Sequence, residues 1–239
     1  MEEWLSRTGQ LLGEEALSKL RQSHVLIVGV GGVGAYAAEM ICRSGINTIT
    51  IVDGDNVNPS NINRQLIAVH STIGKPKTDV LAHRLLDINP LLDLHIKQLY
   101  MDEEQAGILL DEAKYDYVID AIDTLSPKIA LLAGCLKRKI KVISSMGAGG
   151  RIDPTRIAYA DIAETYHCAL AKAVRKRLKD AGIKKGIKVV FSSEQPDRNA
   201  IIRTDEERNK KSTVGTVSYL PAIFGCYLAA YVIRKLSQK

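Results

Sequence analysis

Short apolar runs alternate along this chain with longer stretches in which apolar and polar residues recur at helical spacing. The runs at Thr48–Val52 and 117–121 are rich in β-branched residues, as is the one that ends at Val28. Between them, the apolar positions follow the period of a helix. Strands that alternate with helices are typical of a parallel sheet with helices on both faces. The pattern therefore predicts a doubly wound α/β fold with a mainly parallel sheet, extended by carboxy-terminal strands and helices.

The same spacing locates the individual elements. Strands are predicted at 23–28, 48–52, 94–98, 117–121, 141–145, 156–160 and 189–193, and helices at 35–44, 77–86, 126–138 and 169–181. Residues 194–213 are polar, mixed in charge and without a regular pattern, which predicts a mobile loop. Threonine, serine, proline and glycine interrupt the uncharged stretch 212–233, which favours a strand and a buried helix over a membrane span.

Length and composition limit the class of protein. The chain has 239 residues, of which 46% are apolar, and its formal charge is +6. This apolar fraction excludes a disordered chain, and we expect one domain over 1–239, with a nucleotide-binding half at about 20–150 and a substrate-facing half at about 151–239. The four cysteines form no Cys-x-x-Cys pair, and the acidic amino terminus lacks a secretory signal. We therefore expect a cytoplasmic protein without structural zinc.

A glycine-rich turn follows the first predicted strand. Gly29-x-Gly31-Gly32-x-Gly34 lies between that strand and the helix predicted at 35–44. Such a turn lets the backbone approach a phosphate where amide groups and the helix dipole favour negative charge. Asp53 follows about 20 residues later, where a carboxylate binds ribose hydroxyls in Rossmann-like sheets. These features predict a nucleotide site without deciding which nucleotide it binds.

A polar and cationic segment follows Asp53 and changes the interpretation of this site. Hydride transfer does not need an arginine and a lysine beside the phosphate loop, whereas attack of an anion on phosphorus needs positive charge there. Asp123 can hold a magnesium ion that bridges the phosphates, or alternatively cap the helix that follows it. For Arg64 and Lys77 the alternative is a solvated basic face. The candidate residues of this segment and its surroundings are Asp55, Ser60, Asn61, Asn63, Arg64, Gln65, Lys77 and Asp123.

Six motifs occur together in this chain: Ser6-Arg7-Thr8, Gly29-Val-Gly31-Gly32-Val-Gly34, Asp53-Gly-Asp55, Ser60-Asn61-Ile-Asn63-Arg64-Gln65, Gly74-Lys-Pro-Lys77 and Asp120-Ala-Ile-Asp123. Their combination resembles the ubiquitin-activating-enzyme-like adenylating proteins, a family that includes the activators of sulfur carrier proteins. The resemblance implies that ATP binds with Asp53 at the ribose and Asp123 at magnesium. It places Asn61, Arg64 and Lys77 at the phosphates. It further implies a homodimer in which Arg7 reaches the partner's ATP and completes the catalytic set.

The carboxy-terminal half contains Gly147-Ala-Gly149-Gly150-Arg151-Ile152-Asp153-Pro154-Thr155, Asp161-Ile162 and Gly215-Thr-Val-Ser-Tyr-Leu-Pro221. These segments are similar to the branch of that family that dehydrates threonylcarbamoyladenosine in tRNA. The resemblance implies that this half faces the tRNA and the second subunit. The activity it implies is ATP-driven cyclisation of the modified adenosine next to the anticodon, through a carboxyl-adenylate. A bound monovalent cation and a cysteine-desulfurase sulfur-transfer partner stay open.

Basic residues crowd the helix predicted at 169–181 and the segment after it. A run of this kind is either a solvated helix face or a footprint for the phosphates of RNA, and the resemblance favours tRNA. The residues are Arg175, Lys176, Arg177, Lys179, Lys184, Lys185 and Lys188.

Cys168 lies beside His167 at the start of the same helix. The helix dipole there can lower the pKa of a thiol, so a catalytic thiol and a local packing role are both open, and packing is favoured. The other cysteines, Cys42, Cys135 and Cys226, lie in apolar helical patterns and are predicted in the core.

Two other functions compete with tRNA dehydration. An activator of a ubiquitin-like sulfur carrier would adenylate a Gly-Gly carboxy terminus, but the two Cys-x-x-Cys pairs usual in such activators do not occur in this sequence. A nicotinamide-dependent oxidoreductase, or a nucleotide-binding scaffold without turnover, would leave the 60–65 cluster and Lys77 unexplained.

Overall fold

Seven strands form the central sheet of the computed structural model, which describes residues 3–203 and 212–238. They are β1 (His24–Val28), β2 (Thr48–Val52), β3 (Asp93–Lys97), β4 (Tyr117–Asp120), β5 (Val142–Ser145), β6 (Ile157–Asp161) and β7 (Lys188–Ser192). Their order is β3-β2-β1-β4-β5-β7-β6, and β6 alone is antiparallel to its neighbour. The doubly wound, mainly parallel sheet predicted from the sequence is confirmed.

Eight α-helices accompany the sheet in the described part of the chain. They are α1 (Ser6–Leu12), α2 (Glu14–Arg21), α3 (Gly34–Arg43), α4 (Lys77–Ile88), α5 (Glu103–Glu112), α6 (Leu125–Lys137), α7 (Ala169–Asp180) and α8 (Tyr219–Ser237). The sequence did not predict α1, α2 and α5, which have only 7, 8 and 10 residues. Length alone does not explain the omission, because α3 also has 10 residues and was predicted. No helix of the described residues is both long and apolar enough to cross a membrane.

Two apolar layers cover the two faces of the sheet. Along β1, Val25 and Ile27 pack with α3, α4 and α8, whereas Leu26 and Val28 pack with α5, α6 and α7. Successive side chains of a strand point to opposite faces, so a strand between two layers must be apolar at every position. This requirement explains the continuous apolar runs in the sequence.

The prediction of a loop over residues 194–213 is confirmed at 194–197 and wrong at 198–203 and 212–213. A 3-10 turn forms at Arg198–Ala200, and β8 (Ile201–Arg203) pairs with β9 (Ser212–Val214) in a two-stranded antiparallel sheet. Strands of three residues are too short to give a recognisable alternation, which is why the pattern missed them. Residues 204–211 lie outside the described residues. The strand and helix predicted over 212–233 are confirmed as β9 and α8.

The chain changes direction in the sheet between β1 and β4. It runs from β1 outward through β2 to β3, and then returns to β4 on the other side of β1. At such a switch point the loops after the two central strands separate, and ligands of open α/β sheets bind in the crevice between them. The glycine turn follows β1 and Asp123 follows β4, so the fold brings both to this crevice.

Candidate functional site

The glycine turn is held tightly against the loop that follows β4. Gly29 has a φ of +87°, and a Cβ atom added there would lie 2.8 Å from the carbonyl oxygen of Ala121. A Cβ atom on Gly34, the first residue of α3, would lie 1.7 Å from the carbonyl oxygen of Gly29. Only glycine fits at these two positions. The turn therefore exposes backbone at the amino terminus of α3, as an anion site requires.

Asp53 fixes the position of this turn relative to β2. Its carboxylate accepts hydrogen bonds from the backbone N–H groups of Val30 and Asp55, both at 2.8 Å. Burial raises the pKa of Asp53 above its usual value, although the Lys77 ammonium and the two N–H donors act in the opposite direction. The carboxylate thus lies beside the glycine turn, and its role as a ribose ligand stays a prediction.

Lys77 reaches the crevice from the start of α4. Its Nζ atom lies 2.8 Å from Oδ2 of Asp55, and the Lys77 side chain is 7% exposed while that of Asp55 is 54% exposed. The backbone N–H of Lys77 also donates to the carbonyl oxygen of Asp55 at 3.0 Å. A buried ammonium is thus held by a carboxylate that remains in contact with solvent.

The segment with Arg64 lies against the glycine turn. A Cβ atom on Gly32 would lie 3.5 Å from Cγ of Arg64. The Arg64 guanidinium donates to Oδ1 of Asn63 and to the carbonyl oxygen of Ser60, both at 2.8 Å. Asn61 is buried, and its Oδ1 atom accepts from the backbone N–H of Asn58 at 3.0 Å. These bonds hold a half-buried guanidinium beside the phosphate loop.

Gln65 was part of a sequence motif, but its role emerges only in the structure. The residue is 8% exposed, and a Cβ atom on Gly31 would lie 3.5 Å from its Nε2 atom. Its buried Oε1 atom has no hydrogen-bond partner among the described residues. Buried polar atoms are normally satisfied, so the unpaired oxygen of this amide is an acceptor that a ligand can use. The residues present are compatible with a nucleotide, because glycines leave the backbone of the turn open and the Gln65 amide beside it has an unused acceptor.

Asp123 is exposed and lies two residues beyond Ala121, which contacts the turn. Residues 3–203 and 212–238 contain no group of three or more His, Cys, Asp or Glu side chains placed to hold a metal ion. Magnesium bound to a nucleotide does not need such a group, because one or two carboxylates and the phosphates suffice. Asp123 could hold magnesium bound to a nucleotide in this crevice, and this role stays a prediction.

A buried ion pair beneath this loop was not predicted from the sequence. Lys128 and Asp120 have fully buried side chains, and their Nζ and Oδ2 atoms lie 2.6 Å apart. Lys128 also donates to the carbonyl oxygen of Ile122 at 2.8 Å, and the Ser144 hydroxyl donates to Asp120 at 2.6 Å. The sequence does contain a signal for this pair, because an acid that ends a strand lies eight residues before a lysine in the next helix. The pair fixes the loop that leads to Asp123.

Arg7 lies far from the glycine turn of its own subunit. A Cβ atom on Gly45, which follows α3, would lie 3.1 Å from the side chains of Leu5 and Leu17, so α1 and α2 pack at the end of α3 opposite the turn. The 10 residues of α3 separate the two positions by about 15 Å. The structure therefore does not bring Arg7 to the other predicted site residues of the same chain.

Helix α7 begins near the carboxyl ends of the strands and runs toward their amino ends. A Cβ atom on Gly147, just after β5, would lie 3.5 Å from Sγ of Cys168, and β7 begins at Lys188 after the helix has ended. Lys176, Arg177 and Lys179 are exposed along α7. Arg175 is half-buried, and its guanidinium donates to the carbonyl oxygen of Thr165 at 2.8 Å. Of the four predicted tRNA contacts on α7, three thus face solvent and Arg175 already binds protein, while Lys184 and Lys185 after the helix are exposed and Lys188 is half-buried.

Cys168 caps α7 from a buried position. Its Sγ atom accepts the backbone N–H of Ala171 at 3.4 Å, and the residue is 7% exposed. This geometry supports the packing interpretation. Burial raises the pKa of Cys42 and of Cys135 to about 12, so neither thiol is reactive near neutral pH. Cys226 is half-buried rather than fully enclosed.

Arg151 was quoted in a sequence motif without a role and is almost completely buried. Its guanidinium donates to the carbonyl oxygens of Gly147, Gly149, His167 and Glu194 at 2.6–3.1 Å. It thereby joins the loop after β5, the start of α7 and the segment after β7 into one wall of the crevice.

Comparisons with known proteins identify the family of this chain. The model of the ThiF family matches residues 5–239. The chain is 42% identical over 238 residues to the tRNA threonylcarbamoyladenosine dehydratase of Bacillus subtilis, and the match covers 97% of this chain and 93% of that protein. It is 33% identical over 158 residues to the molybdopterin-synthase adenylyltransferase of Escherichia coli, covering 65% of this chain and 61% of that one.

A solved structure has the same fold over nearly the whole chain. It is E. coli tRNA N6-threonylcarbamoyladenosine dehydratase, TcdA, in complex with ATP. Its TM-score to this chain is 0.89 with 35% sequence identity, and the match covers 99% of this chain and 96% of that one. The same E. coli enzyme has also been solved with AMP.

Proposed function

The chain belongs to the ThiF family, and on this premise we propose that it is an ATP-dependent enzyme that dehydrates N6-threonylcarbamoyladenosine in tRNA to its cyclic form. The observation that carries the proposal is the crevice at the switch point, in which the glycine turn, Asp53, Arg64 and Lys77 lie together. The dehydratase of B. subtilis matches 97% of this chain, whereas the molybdopterin-synthase adenylyltransferase of E. coli matches 65%. This difference favours the tRNA substrate over a sulfur carrier protein.

The reaction needs activation because a free carboxylate is a poor electrophile. A carboxylate oxygen of the threonyl group attacks the α-phosphorus of ATP, the bond to the β-phosphate oxygen breaks, and pyrophosphate leaves. The urea group of the same side chain then attacks the activated carbonyl carbon, loses a proton and expels AMP. Since the nucleophile is already attached to the substrate, proximity replaces a covalent enzyme intermediate. The net change is the loss of one water from the nucleoside.

The protein supplies position and charge for this reaction. Arg64 and Lys77 offset the negative charge that develops at the α-phosphorus, and the amide groups of the glycine turn bind the phosphates. Asp53 holds the ribose, assisted by Asp55. Asn61 joins Arg64 and Lys77 at the phosphates, while Ser60 and Asn63 shape the segment that carries Arg64. Magnesium held by Asp123 would neutralise phosphate charge and orient pyrophosphate as it leaves.

Arg7 contributes to catalysis only if two subunits associate. The elements on either side of Arg7 pack at the end of α3 opposite the turn, so we propose a homodimer in which each Arg7 enters the partner's site. The amino-terminal half then provides the nucleotide site, and the half from about residue 151 provides the surfaces for tRNA and for association. We place this reaction in the cytoplasm.

Helix α7 is suited to guide the anticodon arm toward this site. Its 12 residues extend about 18 Å from the wall of the crevice toward the opposite end of the sheet. The exposed side chains of Lys176, Arg177 and Lys179 can contact successive phosphates along that path. Arg175 stabilises the start of this path through Thr165.

Pyrophosphate exchange tests the proposed function against its alternative. The protein is incubated with ATP, labelled pyrophosphate and either tRNA carrying threonylcarbamoyladenosine or a sulfur carrier protein ending in Gly-Gly. We expect modified tRNA alone to stimulate exchange, and mass spectrometry of the nucleosides to show the loss of one water. Unmodified tRNA is the matched control. Stimulation by the carrier protein, without conversion of the tRNA, would overturn the proposal.

A further inference from the structure

A cavity of about 350 Å³ opens next to the nucleotide crevice. Three backbone segments enclose it, namely 150–152, 194–197 and 215–217, together with Ala200. Its size lies at the lower end of the range for small-molecule sites, about 300–1,000 Å³, and suits a single nucleoside rather than a protein segment.

Hydrogen bonds between backbone groups connect the walls of this cavity to one another. The backbone N–H of Gly150 donates to the carbonyl oxygen of Gly215 at 2.8 Å, and that of Asp197 donates to the carbonyl oxygen of Gly150 at 2.8 Å. A Cβ atom on Gly149 would lie 2.9 Å from the side chain of Val214. The segments approach so closely that glycine is required at this crossing. The walls are therefore fixed before any ligand arrives.

One wall of the cavity is bonded directly to the catalytic segment. The carbonyl oxygen of Thr216 accepts a hydrogen bond from Nδ2 of Asn63 at 3.0 Å. Oδ1 of the same Asn63 accepts from the guanidinium of Arg64 at 2.8 Å. A ligand in the cavity is thus separated by a single side chain from the arginine that we assign to the phosphates of ATP.

The chemistry of the lining favours an uncharged, flat ligand. One cation, Arg151, and two acids, Glu194 and Asp197, line the cavity, so its net charge disfavours a phosphate. Ile152 on the lining is 69% exposed, and Tyr219 beside it is 41% exposed. The Tyr219 hydroxyl donates to the carbonyl oxygen of Ile152 at 2.8 Å, which fixes the ring next to the opening. An exposed aromatic ring of this kind stacks on unpaired RNA bases, and an apolar side chain beside it can pack against the same base.

From this arrangement we infer that the cavity receives the adenine base of the modified nucleotide, unstacked from the anticodon loop, with Tyr219 and Ile152 against its face. The inference rests on the proposed function. Enzymes that act on a base take it out of the stack and hold it in a pocket. With the base in the cavity, the attached threonyl carboxylate points toward the cations on the other side of Asn63. The cavity thus takes the neutral base of the substrate, and the cationic crevice takes its anionic carboxylate.

The test compares Tyr219→Ala with Tyr219→Phe in the full-length protein. The alanine variant removes the ring, whereas the phenylalanine variant keeps the ring and loses only the hydrogen bond to Ile152. Stacking of a base on an aromatic side chain corresponds to a change of about 5- to 150-fold in binding. We expect Tyr219→Ala to raise the KM for modified tRNA by such a factor and to leave ATP binding unchanged. Tyr219→Phe should remain close to wild type.

A second substitution and a free nucleoside complete the test. Ile152→Ser should also raise the KM for modified tRNA, whereas Ile108→Ser, at an exposed position on α5, should not. Free N6-threonylcarbamoyladenosine should stimulate pyrophosphate exchange weakly in the wild type and less in Tyr219→Ala. The inference fails if the wild type converts modified tRNA while Tyr219→Ala has an unchanged KM, or if Tyr219→Phe is as impaired as the alanine variant. A wild type that converts no tRNA would instead overturn the proposed function and with it this inference.

Discussion

Two buried lysines at the carboxyl edge of the sheet differ in what surrounds their partners. Lys128 and its partner Asp120 are both fully enclosed, with 0% side-chain exposure. Lys77 is 7% exposed, but its partner Asp55 is 54% exposed. The first pair has no route by which a ligand can replace one member. The second can exchange a carboxylate for a phosphate without moving the lysine out of the protein.

The difference shows that burial of a charge does not by itself identify a functional group. Asp120 also accepts from the Ser144 hydroxyl and from the backbone N–H of Ile122, at 2.6 and 3.0 Å, so its oxygens are occupied. This network fixes the loop after β4. Lys77 has the same chemical identity and a similar ion-pair distance, but it faces a crevice. The accessibility of the partner separates a structural lysine from one available for chemistry.

The largest expected effect is on stability, at Lys128. Lys128→Met leaves Asp120 buried without its counter-charge, so we expect the free energy of unfolding to fall by about 3–5 kcal/mol. Denaturant unfolding followed by circular dichroism measures this loss. The double variant Lys128→Met with Asp120→Asn removes both charges and should recover most of the stability. If the single and double variants were equally stable, the proposed structural role of the Lys128–Asp120 ion pair would be contradicted.

The same substitution at Lys77 should affect catalysis instead. Lys77→Met keeps the buried aliphatic stem and leaves Asp55 in contact with solvent, so the unfolding midpoint should change little. Loss of one cation at the developing charge should lower the rate of exchange with modified tRNA by about 10²- to 10³-fold. Rapid kinetics and denaturation on the same preparation measure both. If Lys77→Met unfolds as easily as Lys128→Met, the distinction between the two pairs is lost.

The exposed cations of α7 differ from both buried lysines, because they have solvent around them. Reversing Lys176, Arg177 and Lys179 to glutamate should leave stability and ATP binding unchanged, because these side chains are exposed and distant from the turn. It should weaken tRNA binding and reduce the slope of log affinity against log salt by about one for each lost phosphate contact. Filter binding over a series of salt concentrations measures the slope. An equal loss of ATP binding would count against a separate tRNA surface.

The smallest expected effect is a shift in pH dependence at Asp53. Burial raises the pKa of Asp53, so its carboxylate is protonated on acidification earlier than an ordinary aspartate. Affinity for ATP should therefore decline at a higher pH than usual, and Lys77→Met should move the decline higher still, because the ammonium lowers this pKa. The contribution to stability has the opposite sign: a raised pKa in the folded state favours folding at low pH, and this contribution is lost as pH rises through that pKa.

Calorimetric titration of ATP across the acidic range measures the shift, with Asp53→Asn as the control. The asparagine variant should bind ATP more weakly at every pH, and its affinity should depend less on pH. A profile in Lys77→Met that is unchanged from the wild type would show that the two groups do not interact.

The sequence was sufficient for features that depend on local requirements. Gly29 and Gly34 must be glycine because the backbone crosses itself there, so the turn is visible as a spacing of glycines. The strands of the sheet are visible because a strand covered on both faces must be apolar throughout. Predicted and observed boundaries agree within about two residues for β2, α3 and α7.

Other features depend on contacts between residues distant along the chain, and only the tertiary structure decided them. Arg175 and Lys176 are adjacent in one basic run, yet the first binds Thr165 and the second faces solvent. The cavity beside the crevice is built from three segments that span residues 150–217, and no periodic pattern in the sequence predicts that they meet. The sequence alone predicted which groups are candidates to bind a nucleotide, because the glycine spacing and the alternation of strands and helices are local properties of the chain. The tertiary structure determined which charges are free to do so, because burial and partnership arise only when distant segments pack together.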